Sequence, residues 1–389
     1  MDNIKLNDTA LFIGAGFSKE LGLKTTREIE KEFTTINYLD SRPSNKVVQN
    51  AISRKLKEYW NKVFGWQEGS SDNPSFEDHF TTLDLSANLG HSLGKYSAQH
   101  LRAIRRLSIH RIFNIINKNI KESSAAQAII KTLCSGTNNL LISTNWDIGV
   151  EKLLGEMDLN YHYGIETFPP PVEINSAEDI EPDSNRGILL CKLHGSSNWN
   201  YCDSCRRVYA GEFHQGKTTL SNLTFLKSQD YEVLDYTDSE INEFEDVDRI
   251  RKDNNEVRNC SFCNIELSAR IGTFSYTKSL NFFQFQAVWD AALAGMRKAK
   301  IWIFVGYSLP EADYEIRHLL KTAQLSDENF SVKEIWAIVG DDEKGETKMR
   351  YKKFFGDKVE SRVFQLRLGK WFEKKLYKKL IQSNNEIVK

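Results

Sequence analysis
Four clusters of side chains able to do chemistry each follow an apolar run, where a strand end would present them to a ligand. Gly14-Ala15-Gly16 with Ser18 can cradle a pyrophosphate, because glycines allow close backbone approach and a helix starting there offers N–H groups and a positive dipole end. A tight strand-to-helix turn needs the same residues, and the third glycine of G-x-G-x-x-G is missing. Thr144, Asn145 and Asp147 bring a carboxamide and a carboxylate close together. The first can orient hydroxyls or water and the second accept from them, although Asn and Asp are also favoured helix N-caps. His194, followed by Gly195-Ser196, sits where a base titrating near neutrality is useful, and equally where a structural histidine would sit. Gly306 and Ser308, in Val305-Gly306-Tyr307-Ser308-Leu309-Pro310, mark the fourth end.

Cys202-x2-Cys205 and Cys260-x2-Cys263 supply four thiolates, enough for a closed tetrahedral zinc site, so a metal there is structural. The 54 residues between the pairs exceed the ~15–20 usual in a zinc ribbon, which keeps four unrelated thiols as the other reading. Cys134 and Cys191 stand alone, and this usage fits metal binding in a reducing compartment better than disulfides. Between the pairs, Ser228 to Asp248 holds nine Asp or Glu and no Lys or Arg, and reads as a solvated, disordered loop. Gly211 to Thr218 matches the phosphate-loop formula literally but lacks a buried strand before it and a helix after it, so no ATP site is expected. From Lys348 to Lys379, twelve Lys or Arg against three Asp or Glu alternate with aromatic residues. That pattern suits an amphipathic helix with a solvated basic face, or contact with nucleic acid or an acidic partner.

The elements that must position these groups are legible as short apolar runs at Thr9–Ile13, Leu140–Ser143, Gly187–Leu193, Ile301–Val305 and Ile335–Val339. None alternates polar with apolar, which argues for parallel strands covered on both faces, with ligands bound beyond their carboxyl ends. From about residue 25 to 130, residues such as Leu56, Trp60, Phe64, Phe76, Phe80 and Leu83 recur three or four apart and predict helices. The expected fold is therefore α/β: a doubly wound, Rossmann-like parallel sheet spanning 1–389, interrupted by a helical insertion at 25–130 and a cysteine module at 198–270, with a basic tail at 348–389. A net charge of -1 names no polyanionic partner for the chain as a whole. No run approaches the ~20 apolar residues of a membrane span, and the amino terminus has no signal-peptide pattern, so a cytoplasmic protein without membrane contact is expected.

Taken together, G-A-G-x-S, S-T-N-x-D, K-L-H-G-S and V-G-Y-S-L-P, in this order, resemble the sirtuin superfamily over about residues 9–24, 140–154, 187–205 and 258–356. The resemblance implies an NAD site. Gly14, Ala15, Gly16 and Ser18 would bind the pyrophosphate and adenosine portion, with Thr144, Gly306 and Ser308 as further contacts. Asn145 and Asp147 would line the pocket that cleaves the nicotinamide ribose, His194 would be the catalytic base, and the four paired cysteines would hold structural zinc. Deacetylase sirtuins follow the glycine loop with G-I-P-D-F-R, where this chain has Gly22-Leu23-Lys24-Thr25-Thr26-Arg27. The Y-S-L-P-E-A-D-Y-E-I-R element and the helical insertion look like bacterial sirtuin-like proteins of antiphage defence, which deplete NAD. The expected activity is thus NAD+ hydrolysis to nicotinamide and ADP-ribose; a protein deacylase and a non-catalytic NAD or ADP-ribose sensor are the alternatives. An unrestrained hydrolase would poison its own cell, so control by homo-oligomerisation or by a HerA-like ATPase partner is expected.

Overall fold
The computed structural model describes residues 9–35, 43–70, 72–116, 120–133, 140–165, 187–202, 204–210, 213–214, 217–218, 228–253, 259–265, 267, 283–326, 334–340, 344–374 and 378. Along the chain, β1 (Thr9–Ile13) turns into α1 (Ala15–Glu20), followed by α2 (Thr26–Glu32), α3 (Pro43–Phe64), α4 (Phe76–Leu89), α5 (Ala98–Ile116) and α6 (Ser124–Leu133). Next come β2 (Leu140–Ser143), α7 (Gly149–Glu156), β3 (Tyr161–His162), β4 (Ile188–Lys192), β5 (Trp199–Tyr201), β6 (Val208–Ala210), β7 (Phe213–His214), β8 (Lys217–Thr218), α8 (Ser228–Val233) and α9 (Asp238–Asp253). The last part holds α10 (Phe283–Lys298), β9 (Ile301–Val305), α11 (Tyr314–Gln324), β10 (Glu334–Ile338), α12 (Glu346–Phe355), β11 (Val363–Phe364) and α13 (Leu368–Glu373).

Seven strands form one sheet in the order β11-β10-β9-β1-β2-β4-β3, every neighbouring pair parallel. β1, β2, β4, β9 and β10 are buried at every residue, as unbroken apolar runs require when helices cover both faces. The sheet is thus the doubly wound parallel type that the sequence predicts. β1 and β9 lie side by side, yet the chain moves on from β1 to β2 on one flank and from β9 to β10 on the other. Such a reversal opens a crevice beyond the carboxyl ends of the two strands.

The basic tail over residues 348–374 is built into this sheet, contrary to the amphipathic helix read from its charges. α12, β11 and α13 cap one edge, and Tyr351, Val359, Val363, Leu368 and Trp371 join the main core. Of its interleaved aromatics, Tyr351 and Trp371 are core residues and Phe354, Phe355 and Phe372 pack against that core, while Lys353, Arg367, Lys370 and Lys374 are exposed.

A second core lies within α2 to α5, where Trp60, Phe76, Phe80, Leu83 and Ile104 are buried together. His79 sits at its centre: the Trp60 indole donates to His79 Nδ1 at 2.9 Å, which makes Nε2–H the donor to Ser108 Oγ, also at 2.9 Å. Burial alone holds His79 neutral, its pKa pushed down to about 3. α6 belongs to the sheet instead, through Ala126, Ile129 and Ile130.

The acidic stretch Ser228–Asp248 corrects the sequence reading: it forms α8 and most of α9, docked on α3 and α5. Tyr231, Leu234, Tyr236 and Phe244 are buried in the helical core, while Arg106 pairs with Asp230 and Arg54 with Glu240. Apolar residues three or four apart gave the segment a packing face that its charge count concealed.

Phe244→Ala should lower unfolding free energy by about 3 kcal/mol, whereas a solvated loop would tolerate the change; urea denaturation decides. The folded pKa of His79 lies below its unfolded value of about 6.5, so the unfolded chain takes up a proton that the fold refuses. Stability should therefore fall as pH drops from 6.5, by up to ~1.4 kcal/mol per unit. Comparing urea midpoints at pH 7 and 5 for the wild type and His79→Gln should show the shallower slope in the variant.

Candidate functional site
The turns after β1 and β9 meet at the mouth of the crevice. Gly14 N–H donates to the Val305 carbonyl at 3.0 Å, and Gly16 N–H to the Gly306 carbonyl at 2.8 Å. A Cβ on Gly14 would lie 2.7 Å from the Gly306 oxygen, and one on Gly16 would lie 2.7 Å from Gly306 Cα. Gly306, at φ +66°, would press a Cβ to 2.1 Å from the Phe17 nitrogen. Backbone contact between the two turns accounts for all three glycines, and the Gly14 and Gly16 amides face β9 in bonds already made. Ala15 opens α1, which has six residues.

Because α1 starts in that contact, Ser18 comes down onto the turn between β2 and α7. Its hydroxyl donates to Asp147 Oδ2 at 2.7 Å and accepts from Asn145 Nδ2 at 2.8 Å. The other oxygen of Asp147 accepts from the Gly149 amide at 2.9 Å, so this carboxylate also starts α7. Asn145 and Asp147 are buried, at 8% and 7% exposure, but are not sealed. Thr144 N–H reaches the Ile13 carbonyl at 3.2 Å, and the Thr144 carbonyl lies 3.1 Å from His194 Nδ1. A carbonyl can only accept, so Nδ1 carries the proton and Nε2 is the basic nitrogen of His194. Ser308 stands apart: it is exposed, its carbonyl accepts from Arg350 Nε at 3.0 Å, and it precedes Leu309 at a left-handed φ of +51°. Thus Ser18, Asn145 and Asp147 are in direct contact, His194 is tied to them through Thr144, and Ala15 and Ser308 are not.

A group that sequence reading missed lies directly beneath. Lys192 Nζ is 3.1 Å from Glu151 and 2.6 Å from the Asp147 carbonyl, and both charged side chains are fully buried. Glu151 Oε1 also accepts from Tyr163 at 2.9 Å and Ser196 at 3.1 Å, while Asn198 donates to the Tyr163 hydroxyl at 2.8 Å. The one signal available was a lysine interrupting the apolar run Ile188-Leu189-Leu190-Cys191-Lys192-Leu193.

The four paired cysteines converge with all Sγ atoms within 4.8 Å of one another. Each pair forms the same knuckle. Arg206 N–H returns to the Cys202 carbonyl and Asn264 N–H to the Cys260 carbonyl, with Arg206 at φ +60° and Asn264 at φ +58°. Burial raises Cys260, but hydrogen bonds from Tyr209 and from the Cys263 and Phe262 amides outweigh it and bring the thiol down to about 6. Burial holds Cys202 up at about 12. Four sulfurs so spaced fit a tetrahedral zinc ion with Zn–S bonds of about 2.3 Å. With every position taken by protein, the metal would tie the two knuckles together and do no chemistry. In the phosphate-loop lookalike, β7 and β8 pair antiparallel, so Lys217 and Thr218 lie in a strand and do not open a helix. Cys134 lies outside the described residues, and Cys191 is buried in β4.

A cavity of about 210 Å³ lies away from these groups, between α3, α5 and the α8–α9 turn. Its Lys95 is paired with Glu58, and its Lys55 with the Asp235 carbonyl.

No protein-family model and no curated protein matches this chain. Among solved structures it is similar to a Sir2 homologue–NAD complex, at 13% identity over 98% of this chain and 90% of that one, with a TM-score of 0.32. A Sir2 homologue variant bound to ADP-ribose matches at 14% identity over 98% and 92%, with a TM-score of 0.33. A structure described as a basis for the mechanism and regulation of Sir2 enzymes matches at 12% identity over 99% and 94%, with a TM-score of 0.32. At TM-scores this low the fold statement rests on strand order and register, not on superposition.

Elemental analysis of the purified protein should find one zinc ion per chain, and Cys260→Ser should lose it together with thermal stability. Full stability in a metal-free chain would return the cysteines to unrelated thiols.

Proposed function
We propose that the chain binds NAD+ at the carboxyl end of the sheet and cleaves the bond between nicotinamide and ribose, with water as the acceptor. The observation that carries this reading is the junction of Ser18, Asn145 and Asp147 with His194 beside the β1–β9 crevice. Nicotinamide in NAD+ is a cationic leaving group and departs as a neutral base with the electron pair of the broken bond, so no strong acid is needed. The site has to hold the dinucleotide, limit bulk water and support a ribose ring carrying developing positive charge. Ser18 holds the Asn145 carboxamide on one side and the Asp147 carboxylate on the other, which keeps a negative charge near that ribose. His194 Nε2 takes the proton of the attacking water as its oxygen bonds to the ribose carbon. The Thr144 carbonyl stabilises the resulting imidazolium through Nδ1–H.

The resemblance to sirtuins supports the same roles for these residues, and the departures from the deacetylase pattern favour water over an acyl-lysine. Where a deacetylase carries its Asp-Phe pair, Thr25 here bonds the Glu28 carboxylate through its N–H and its hydroxyl, both at 2.8 Å, to start α2. The wider reading is depletion of NAD+ in bacterial antiphage defence, restrained by self-assembly or by a HerA-like ATPase. Among the described residues no helix is long and apolar enough to cross a membrane, and the reading needs none.

With NAD+ and no acylated peptide, the protein should release nicotinamide, alone or once mixed with its activating partner. His194→Ala should slow that release by ~10²–10⁴-fold, and Asn145→Ala should do likewise. Undiminished turnover in both variants would remove the site assignment; a strict requirement for acylated peptide would make the chain a deacylase. Tight NAD+ binding without turnover under any condition would make it a sensor.

A further inference from the structure
The turn between β2 and α7 carries Asn145 and Asp147, and the Thr144 and Asn145 amides at its start bond the Ile13 carbonyl and the Ser143 hydroxyl. Its carbonyls are gripped from the β4 end: Thr144 by His194 Nδ1 at 3.1 Å, Trp146 by the Ser197 amide at 2.7 Å, and Asp147 by Lys192 Nζ at 2.6 Å. Lys192 is the one side chain among these three that the proposed chemistry leaves unused. Its surroundings are an expensive place for an ammonium. Lys192 and its partner Glu151 are both fully buried, and a pair of apolar residues of similar volume would commonly be as stable or more so.

We propose that Lys192 is a positioning residue: paired with Glu151, it holds the Asp147 carbonyl and thereby sets where Asn145 and Asp147 face the substrate. The geometry supports a fixed ammonium. Glu151 stands in the first turn of α7 and gathers Tyr163 and Ser196 on the same oxygen that meets Lys192, so the pair is braced on several elements. The strand that carries His194 two residues onward is the strand that carries Lys192, and one side chain thus locks the base and the Asn-Asp turn in register. The link to substrate rests on the assignment of Asn145 and Asp147 made above; the grip on the turn does not.

Lys192→Met alone leaves the Glu151 charge buried with only the Tyr163 and Ser196 hydroxyls and no cation, and is expected to fold poorly. The double substitution Lys192→Met with Glu151→Gln removes both charges at nearly constant volume and should restore folding. In that folded double variant, hydrogen–deuterium exchange over Asn145–Gly149 should be at least ~10-fold faster than in the wild type, with β1 and β9 unchanged. Its kcat for nicotinamide release should fall ~100-fold, with KM near the wild-type value, because misplacement and not lost affinity is the defect. Unchanged exchange over Asn145–Gly149 overturns the proposal whatever the enzyme does, and a loosened turn with full turnover overturns its connection to substrate. A wild type that neither binds nor cleaves NAD+ would defeat the functional reading, while the exchange measurement would still decide the role of Lys192.

Discussion
Where β1 and β9 end side by side, the turns that follow them touch backbone to backbone, and no side chain can stand between them. Gly306 meets Phe17 and Gly16 so closely that a single added carbon at any of the three glycines would separate the strands. That contact fixes where α1 begins, and the start of α1 fixes Ser18. Ser18 in turn lies between Asn145 and Asp147, so the polar cluster at the sheet's end is set by a steric fact two elements away. The residues are glycine because two backbones must meet, and the meeting is what brings Ser18 to Asn145 and Asp147.

Much of this was legible because fully buried parallel strands have an unambiguous signature. Five apolar runs correspond to β1, β2, β4, β9 and β10 within a residue, and the runs of β1, β2, β4 and β9 have the polar clusters at their carboxyl ends. β3 and β11 were not legible, since two-residue edge strands carry no periodicity. Asp147 was weighed as either a ligand group or a helix cap; it precedes the N-cap residue Ile148, and one of its oxygens accepts from the Gly149 amide while the other meets Ser18. Spacing alone cannot show that division of a carboxylate between two tasks. Lys192 was invisible for a related reason: a lysine in an apolar run acquires meaning only when Glu151 is brought beneath it from another element. The cysteine pairs were legible by their internal spacing, whereas the long stretch between them obscured a match that two equivalent knuckles restore.

The acidic stretch shows how charge counting and packing can diverge. Arg54–Glu240 is an ion pair with an exposed arginine, worth ~0–1 kcal/mol in such settings, so it orients α9 more than it holds it. The larger contribution comes from Phe244, Tyr231 and Leu234, whose burial at about 1.5–3 kcal/mol per large apolar side chain outweighs the surface charges. One face of the segment decides whether it docks, and the other decides how it looks in a composition count.

Trp146 sits between Asn145 and Asp147 in sequence, but its indole belongs to the helical core and not to the sheet. Three consecutive side chains are thereby shared between two compartments, the outer two turned toward Ser18 and the middle one packed with the rings of the helical layer. The segment behaves as a stitch through two fabrics: pulling either one tightens or slackens the other. The helical layer is consequently no passive ornament on a parallel sheet. Its packing is a boundary condition for the candidate site, reaching it through the Trp146 indole.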